Sequence, residues 1–199
     1  MTAVFENFSL VGTYCPTLTE KDSPRYEHAV RLRNRWNELI DDHLSQVREN
    51  GFPLLWVGDM NTVTDPLDVS CPRRVQHLMP DFPSTTQKER DRHKQFLTEH
   101  KLVDLAERFE GKHHKNRYTW AREKKNPEKS IQMRIDYMLC SEDFLQSQHM
   151  KPTTYRNHLE QKRYGSDHSP ISITLELAQT TDTTVSDLVE TMIAQNSNT

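Results

Sequence analysis

Cysteine is scarce in this chain. Its 199 residues hold three, Cys15, Cys71 and Cys140, an odd number with no CxxC spacing. That argues against a disulfide framework and a structural zinc site, and it points to a reducing compartment. No apolar run is long enough to cross a bilayer. The opening MTAVFENFSLVG has neither the basic start nor the long apolar stretch of a secretory leader. Together these absences predict a soluble intracellular protein with no membrane partner. No internal repeat is visible. Glycine is also sparse, with five in all, so each one placed beside reactive side chains asks for a reason.

Neither sign of charge dominates. The formal net charge is −3, and residues 178–199 carry three acids with no Lys or Arg, so residues 1–177 are balanced. Within them, 108–134 (RFEGKHHKNRYTWAREKKNPEKSIQMR) concentrates nine Lys and Arg against three Glu, with Phe109, Tyr118 and Trp120 interleaved. A basic stretch with aromatics suits a phosphate backbone. A solvated loop would read the same way, and composition does not choose between them.

Strand and helix patterns alternate along the chain. FSLVGTY (8–14) alternates and is β-rich. Ser23-Pro24 offers an N-cap and a first-turn proline, and apolar residues recur at helical spacing from Tyr26 through Val30, Trp36, Ile40, Leu44 and Val47, with Gly51 and Pro53 as the stop. PLLWVGD (53–59) is nearly all apolar, the mark of a strand covered on both faces. Thr86 with Glu89 forms a capping box that opens a helix to about residue 99. Shorter strands are predicted at 117–120, at 133–140 and at 170–177. The pattern predicts one α/β domain over 1–177 and a polar acidic tail over 178–199, with a short helix around 184–194.

The polar exceptions fall where strands begin or end. GDMN puts Asp59 and Asn61 at the end of a buried strand, two apart, so an extended backbone would turn both to one face. MRIDYMLC places Asp136 in an otherwise apolar strand, and YGSDHSP sets Asp167 and His168 just before the last one. A carboxylate in such a place is costly unless paired or metal-bound. Phosphodiester hydrolysis asks for these parts: a cation to neutralise charge, a group to orient water and donors to the non-bridging oxygens. Oxygen ligands suit Mg²⁺ or Mn²⁺. Trp36 and Trp56 sit on a helix face and in a buried strand and read as core. Cys15 and Cys140 read as small buried hydrophobes, and His113-His114 as a solvated loop pair.

In order along the chain, TYCPT, GDMN followed by PLDV, RIDY and GSDHSP resemble the exonuclease III family of apurinic/apyrimidinic endonucleases, within the endonuclease/exonuclease/phosphatase superfamily. STTQKERDRHKQFL, LVDLAERF and RYTW resemble segments of its DNA-repair branch, and the likeness runs from about Phe8 to Leu177. The resemblance implies a layered β-sandwich flanked by helices and Mg²⁺-dependent (or Mn²⁺-dependent) hydrolysis of DNA beside abasic sites, with 3′-exonuclease activity as a further option. It implies that Tyr14 contacts the scissile phosphate, Asp59 aligns or deprotonates water, Asn61 helps hold water and phosphate, and Asp136 pairs with a phosphate-binding His168. It gives Asp59, Asn61, Asp167 and His168 as the residues around the metal. From the basic segment, Arg117, Trp120, Arg122, Lys124 and Lys125 become the DNA contacts. A repair role implies a nuclear location, with other repair proteins as partners.

Some features of the family pattern differ here. Family members carry an Asn on their first strand and a later metal-binding Glu, both well ahead of the tyrosine motif, whereas Tyr14 stands fourteen residues from Met1. The resemblance therefore covers the C-terminal two-thirds or so of the fold, without its first strands, and implies weak cutting by these residues alone. A missing N-terminal half then joins the expected partners. Thr17 stands where Asn or Gln is usual, and Met133 where some members carry Trp. Two alternatives stay open: a superfamily phosphoesterase with another substrate, and a catalytically impaired homologue acting as a binding protein or remnant.

Overall fold

The structure is a computed structural model that describes residues 1–70, 81–112, 114–122, 130–159 and 165–178. Its central sheet has five strands, in the order β1 (Thr2–Val4), β2 (Ser9–Tyr14), β3 (Leu54–Asp59), β8 (Asp136–Ser141) and β5 (Leu102–Asp104). β2 and β3 run parallel, joined by the long helix α1 (Tyr26–Glu49), and the other pairings are antiparallel. A parallel pair needs such a crossover, because a tight turn cannot reverse the chain twice. A three-stranded sheet, β4 (Val69–Ser70), β7 (Ile131–Met133) and β6 (Trp120–Arg122), lies beside it, and β9 (Met150–Asn157) pairs with β10 (Ile171–Leu177) as a separate ribbon.

The apolar run of β3 is buried on both faces, as its composition predicts. Leu54 and Trp56 face a cluster with Ile40, Leu44 and Val47 of α1 and Phe96 of α2 (Gln87–Glu99). Leu55 and Val57 face the opposite cluster, with Leu105 of α3 (Leu105–Glu110), Phe144 of α4 (Glu142–Leu145) and Met150 and Tyr155 of β9. Period-two alternation along one strand thus feeds two cores. Trp56 is 1% exposed and meets Phe96 edge to face at 5.5 Å, and Trp36 packs against the same core. Cys15 and Cys140 are buried free thiols, both pushed upward by burial.

The capping box forms as its spacing predicts. Thr86 Oγ1 accepts from the Glu89 amide, and Glu89 Oε2 accepts from the Thr86 amide. Other sequence expectations need correction. Helix α1 begins at Tyr26 with Arg25 as its N-cap and no side-chain cap, while Ser23 Oγ instead accepts from the Arg25 amide at 3.3 Å. The stretch 133–140 is two strands, because β7 ends at Met133 in the ladder with β4 and β8 starts at Asp136 in the ladder with β3. The strand expected at 117–120 starts at Trp120. The expected tail helix at 184–194 lies outside the described residues. Among the described residues no helix is long and apolar enough to cross a membrane.

Candidate active site

Strand register assembles the first row of the site. Tyr14, the last residue of β2, pairs with Asp59, the last of β3, and Asp59 pairs with Asp136, the first of β8. Three side chains from distant parts of the sequence thus share one end of the sheet. Two carboxylates directly opposite each other repel, so the arrangement costs stability unless something positive sits beside them.

The turn over 165–168 brings that group. Gly165 has φ of +88°, a conformation that favours glycine, and Ser166 Oγ accepts from the His168 amide at 3.1 Å. The chain then delivers His168 Nδ1 to Asp136 Oδ2 at 2.9 Å, leaving His168 Nε2 4.0 Å from Asp59 Oδ2. The Asp136 hydrogen bond raises the imidazole above its ordinary range, reinforced by the charges of Asp136, Asp59 and Asp167 and opposed by partial burial. The Asp59 carboxyl is pushed up to about 6, first by burial and then by the charge of Asp136, against the Asn61 amide and His168, which pull it down.

Asn61 meets Asp59 by a route that the sequence did not reveal. An extended chain was expected to align the two, but Asn61 has φ of +45°, so the backbone turns back. Its amide donates to Asp59 Oδ1 at 2.8 Å, and its Nδ2 donates to Asp59 Oδ2 at 3.1 Å and to Cys15 O at 2.8 Å. Asn is among the few residues that tolerate this region.

Tyr14, Asp59, Asn61, Trp120, Asp167 and His168 line one cleft of about 530 Å³, with Arg122, Met133 and Ile135 on its wall. Tyr14 is 64% exposed at this cleft. Asp167 stands apart from the carboxylate pair, its Oδ2 accepting from Trp120 Nε1 at 2.9 Å. Among the described residues, one group could hold a metal ion: Asp59, Asp136 and His168, whose ligand atoms lie within 4.8 Å of one another. Its two carboxylates and one imidazole could take a divalent cation, and a cation there would relieve the repulsion that raises Asp59. Of the residues that the resemblance implies around a metal, Asp59 and His168 belong to this cluster with Asp136, and Asn61 and Asp167 line the same cleft.

The basic segment is only partly an outer surface. Arg117 is a correction: at 6% exposure it is buried, with Nη1 3.4 Å from Asp68 Oδ1 and Nε donating to His114 O, so it cannot reach a phosphate backbone. Trp120 and Arg122 do face the cleft, whereas Lys124, Lys125 and His113 lie outside the described residues.

One supporting residue went unnoticed in the sequence. Thr119 is fully buried, and its Oγ1 accepts from the amides of Ile135 and Asp136, both at 3.1 Å. Its carbonyl accepts from Ser169 at 2.7 Å. It therefore ties the start of β8 to the turn that bears His168. A hydroxyl between the basic and aromatic residues of RYTW was the available signal.

No family model matches the chain. A DNA-(apurinic or apyrimidinic site) endonuclease from Arabidopsis thaliana is 31% identical over 191 residues, covering 89% of this chain and 50% of that protein. An AP endonuclease from Archaeoglobus fulgidus has a similar fold, with a TM-score of 0.67 at 18% identity over 88% of this chain and 64% of its own. A 3′-5′ exonuclease from Neisseria meningitidis gives 0.65 at 19% identity, with the same 88% and 64% coverage. The chain spans half the length of the plant relative and less than two thirds of each solved structure.

Proposed function

We propose that the chain is an exonuclease III-type member of the endonuclease/exonuclease/phosphatase superfamily and that its cleft hydrolyses phosphodiester bonds in DNA, with abasic sites as the preferred target. The observation that carries this reading is His168 held at 2.9 Å by Asp136 with its other ring nitrogen toward Asp59. An imidazole fixed at one nitrogen has its orientation and tautomer set, and presents the other nitrogen to a ligand.

In this reading Asp59 orients a water and takes its proton, its carboxylate held in place by Asn61. His168, held toward its charged form, binds a phosphoryl oxygen, and the exposed Tyr14 phenol donates to the same group. Asp59 and Asp136 would hold Mg²⁺ or Mn²⁺, which when bound would neutralise phosphate charge, while the charged His168 stays on the phosphoryl oxygen. Arg122 on the cleft wall is suited to the flanking backbone, and Trp120 to packing against an exposed sugar or base. Such a role places the protein with the cell's DNA, in the nucleus where there is one, among other repair proteins.

The test is strand scission of a duplex carrying one abasic-site analogue, with Mg²⁺ and with chelator. Metal-dependent cutting beside the analogue is expected, falling by about 100-fold or more in Asp59→Asn. Faster removal of a 3′ block than scission at the analogue would move the substrate to 3′ ends. Duplex binding without any cutting in Mg²⁺ or Mn²⁺ would replace the enzyme reading with a binding protein, and cutting indifferent to Asp59→Asn would remove the site.

A further inference from the structure

Helix α1 buries a charge on its apolar face. Ala29, Ile40, Leu44 and Val47 line that face, and Arg33 is buried among them at 7% exposure. Burying a guanidinium is costly unless its donors and charge are met, so a helix that only needed to pack would place an aliphatic residue there. Here both terminal nitrogens are met by specific partners, while Nε is buried with no partner among the described residues. Nη1 donates to Pro16 O at 3.0 Å and to Asn61 O at 3.4 Å, while Nη2 donates to Met60 O at 3.1 Å and to Thr62 Oγ1 at 2.6 Å. Glu89 Oε1 lies 3.8 Å away as counter-charge, itself buried.

These four oxygens belong to two segments only. Pro16 is two residues after Tyr14, and Met60 to Thr62 follow Asp59 directly. Between them sits Asn61 at φ of +45°, a conformation that Asn tolerates and that hydrogen bonds on both sides of it hold. The Arg33 fork is planar and rigid, which suits it to fixing several oxygens at once. Glu89 is also the N3 residue of the α2 capping box and accepts from the Ser84 amide at 3.3 Å, so the clamp is anchored to a second helix.

We propose that Arg33 is the positioning residue of the cleft: its guanidinium locks the 60–62 turn in the left-handed form, and so sets Asp59 and Asn61 and ties them to the Tyr14 segment. Arg33 lies outside the cleft lining and acts through those residues. The proposal rests on the hydrolytic reading for its effect on rate, but its effect on the turn is independent of that reading.

The experiment uses the whole chain with Arg33→Met, which keeps the aliphatic stem, and Arg33→Lys, which keeps the charge without the fork. Amide ¹⁵N relaxation at residues 60–62 is the first readout. Order parameters should fall from about 0.85 to below about 0.6 in Arg33→Met while α1 stays rigid, with Arg33→Lys intermediate. Scission of the abasic duplex is the second: kcat should fall about 30-fold or more, with KM within about threefold. A turn that stays rigid in Arg33→Met overturns the proposal, as does a loosened turn with unchanged kcat. If the unaltered chain cuts nothing, the hydrolytic reading falls and the order of the turn alone decides: loosening supports the clamp, rigidity ends it. Should Arg33→Met not fold, Thr62→Val removes the shortest of the four bonds under the same readouts. Loosening at 60–62 then supports the clamp, and an unchanged turn overturns it.

Discussion

Trp120 donates its indole N–H to Asp167 at 2.9 Å and pairs through its backbone with His168. One residue of the RYTW segment thus holds two neighbouring side chains of the cleft, which makes its nitrogen separable from its ring. Trp120→Phe keeps the aromatic wall and deletes the donor. The bond is partly exposed, so about 1 kcal/mol, or roughly a fivefold slower strand scission, is expected. The melting temperature should move by no more than a few degrees. An unchanged rate would show that Asp167 does not need this partner.

Gly58 precedes Asp59 and lies opposite Thr13 in the parallel ladder of β2 and β3. Its φ is +140°, and a Cβ placed there would lie 1.8 Å from Thr13 O. Gly58→Ala should push apart the row that pairs Tyr14 with Asp59, at a cost of about 2 kcal/mol or more from strain and clash together. Urea unfolding measures it. A midpoint equal to that of the unaltered chain would mean that the strands separate freely, contrary to their register.

Local pattern made some elements legible and left others hidden. Strand β3, helix α1 and the Thr86–Glu89 box could be read because each rests on a periodicity or spacing within a few residues. Strand β9 (MKPTTYRN) is not legible in the sequence, because Pro152 and its charges disguise a strand that pairs with β10. The row of Tyr14, Asp59 and Asp136 follows from strand register, which no local motif encodes, although the motifs named its members. Arg117 looked like a DNA contact because its partner Asp68 lies 49 positions away in sequence. Arg33 is not legible locally, because a charge on a helix ordinarily faces water and its burial depends on the distant 60–62 turn.

His93 carries a pH signature for the whole fold. It is buried at 4% exposure beside the Tyr137 ring, 4.9 Å between centroids, and its Nε2 has no hydrogen-bond partner among the described residues. Burial pushes its imidazole down to about 4, with Arg134 and Arg33 adding to the effect and Asp104 opposing it. The folded state therefore keeps His93 neutral, while the unfolded chain takes up a proton below about 6.5. More protons bound when unfolded means that stability rises with pH, so this group's contribution is full above 6.5 and is lost as pH falls toward 4. The loss amounts to roughly 3 kcal/mol across that window. His93→Phe should flatten this limb in urea titrations from pH 4 to 7. The same slope in both proteins would assign it to other groups.

Thr119 offers the sharpest separation between holding the fold and holding the site. Its hydroxyl accepts two buried amides, from Ile135 and Asp136, at the point where β8 begins. Thr119→Val matches the shape and removes the acceptor, leaving two buried donors unpaired. The expected cost is about 2–4 kcal/mol, because unmet buried donors forfeit their hydration. Thr119→Ser restores the acceptor and loses one methyl, so it should recover to within about 1 kcal/mol. Stability alone cannot account for the second effect. Asp136 is the residue that fixes His168 at 2.9 Å, and releasing its amide lets that pair drift. At a temperature where Thr119→Val remains folded by circular dichroism, scission should still be slower by tenfold or more, since misplacement on the ångström scale is expensive in rate. Serine should rescue rate and stability together. Valine as stable as threonine would show that the two amides find other partners. Valine that is destabilised yet fully active when folded would confine Thr119 to the fold and free the His168–Asp136 pair from it.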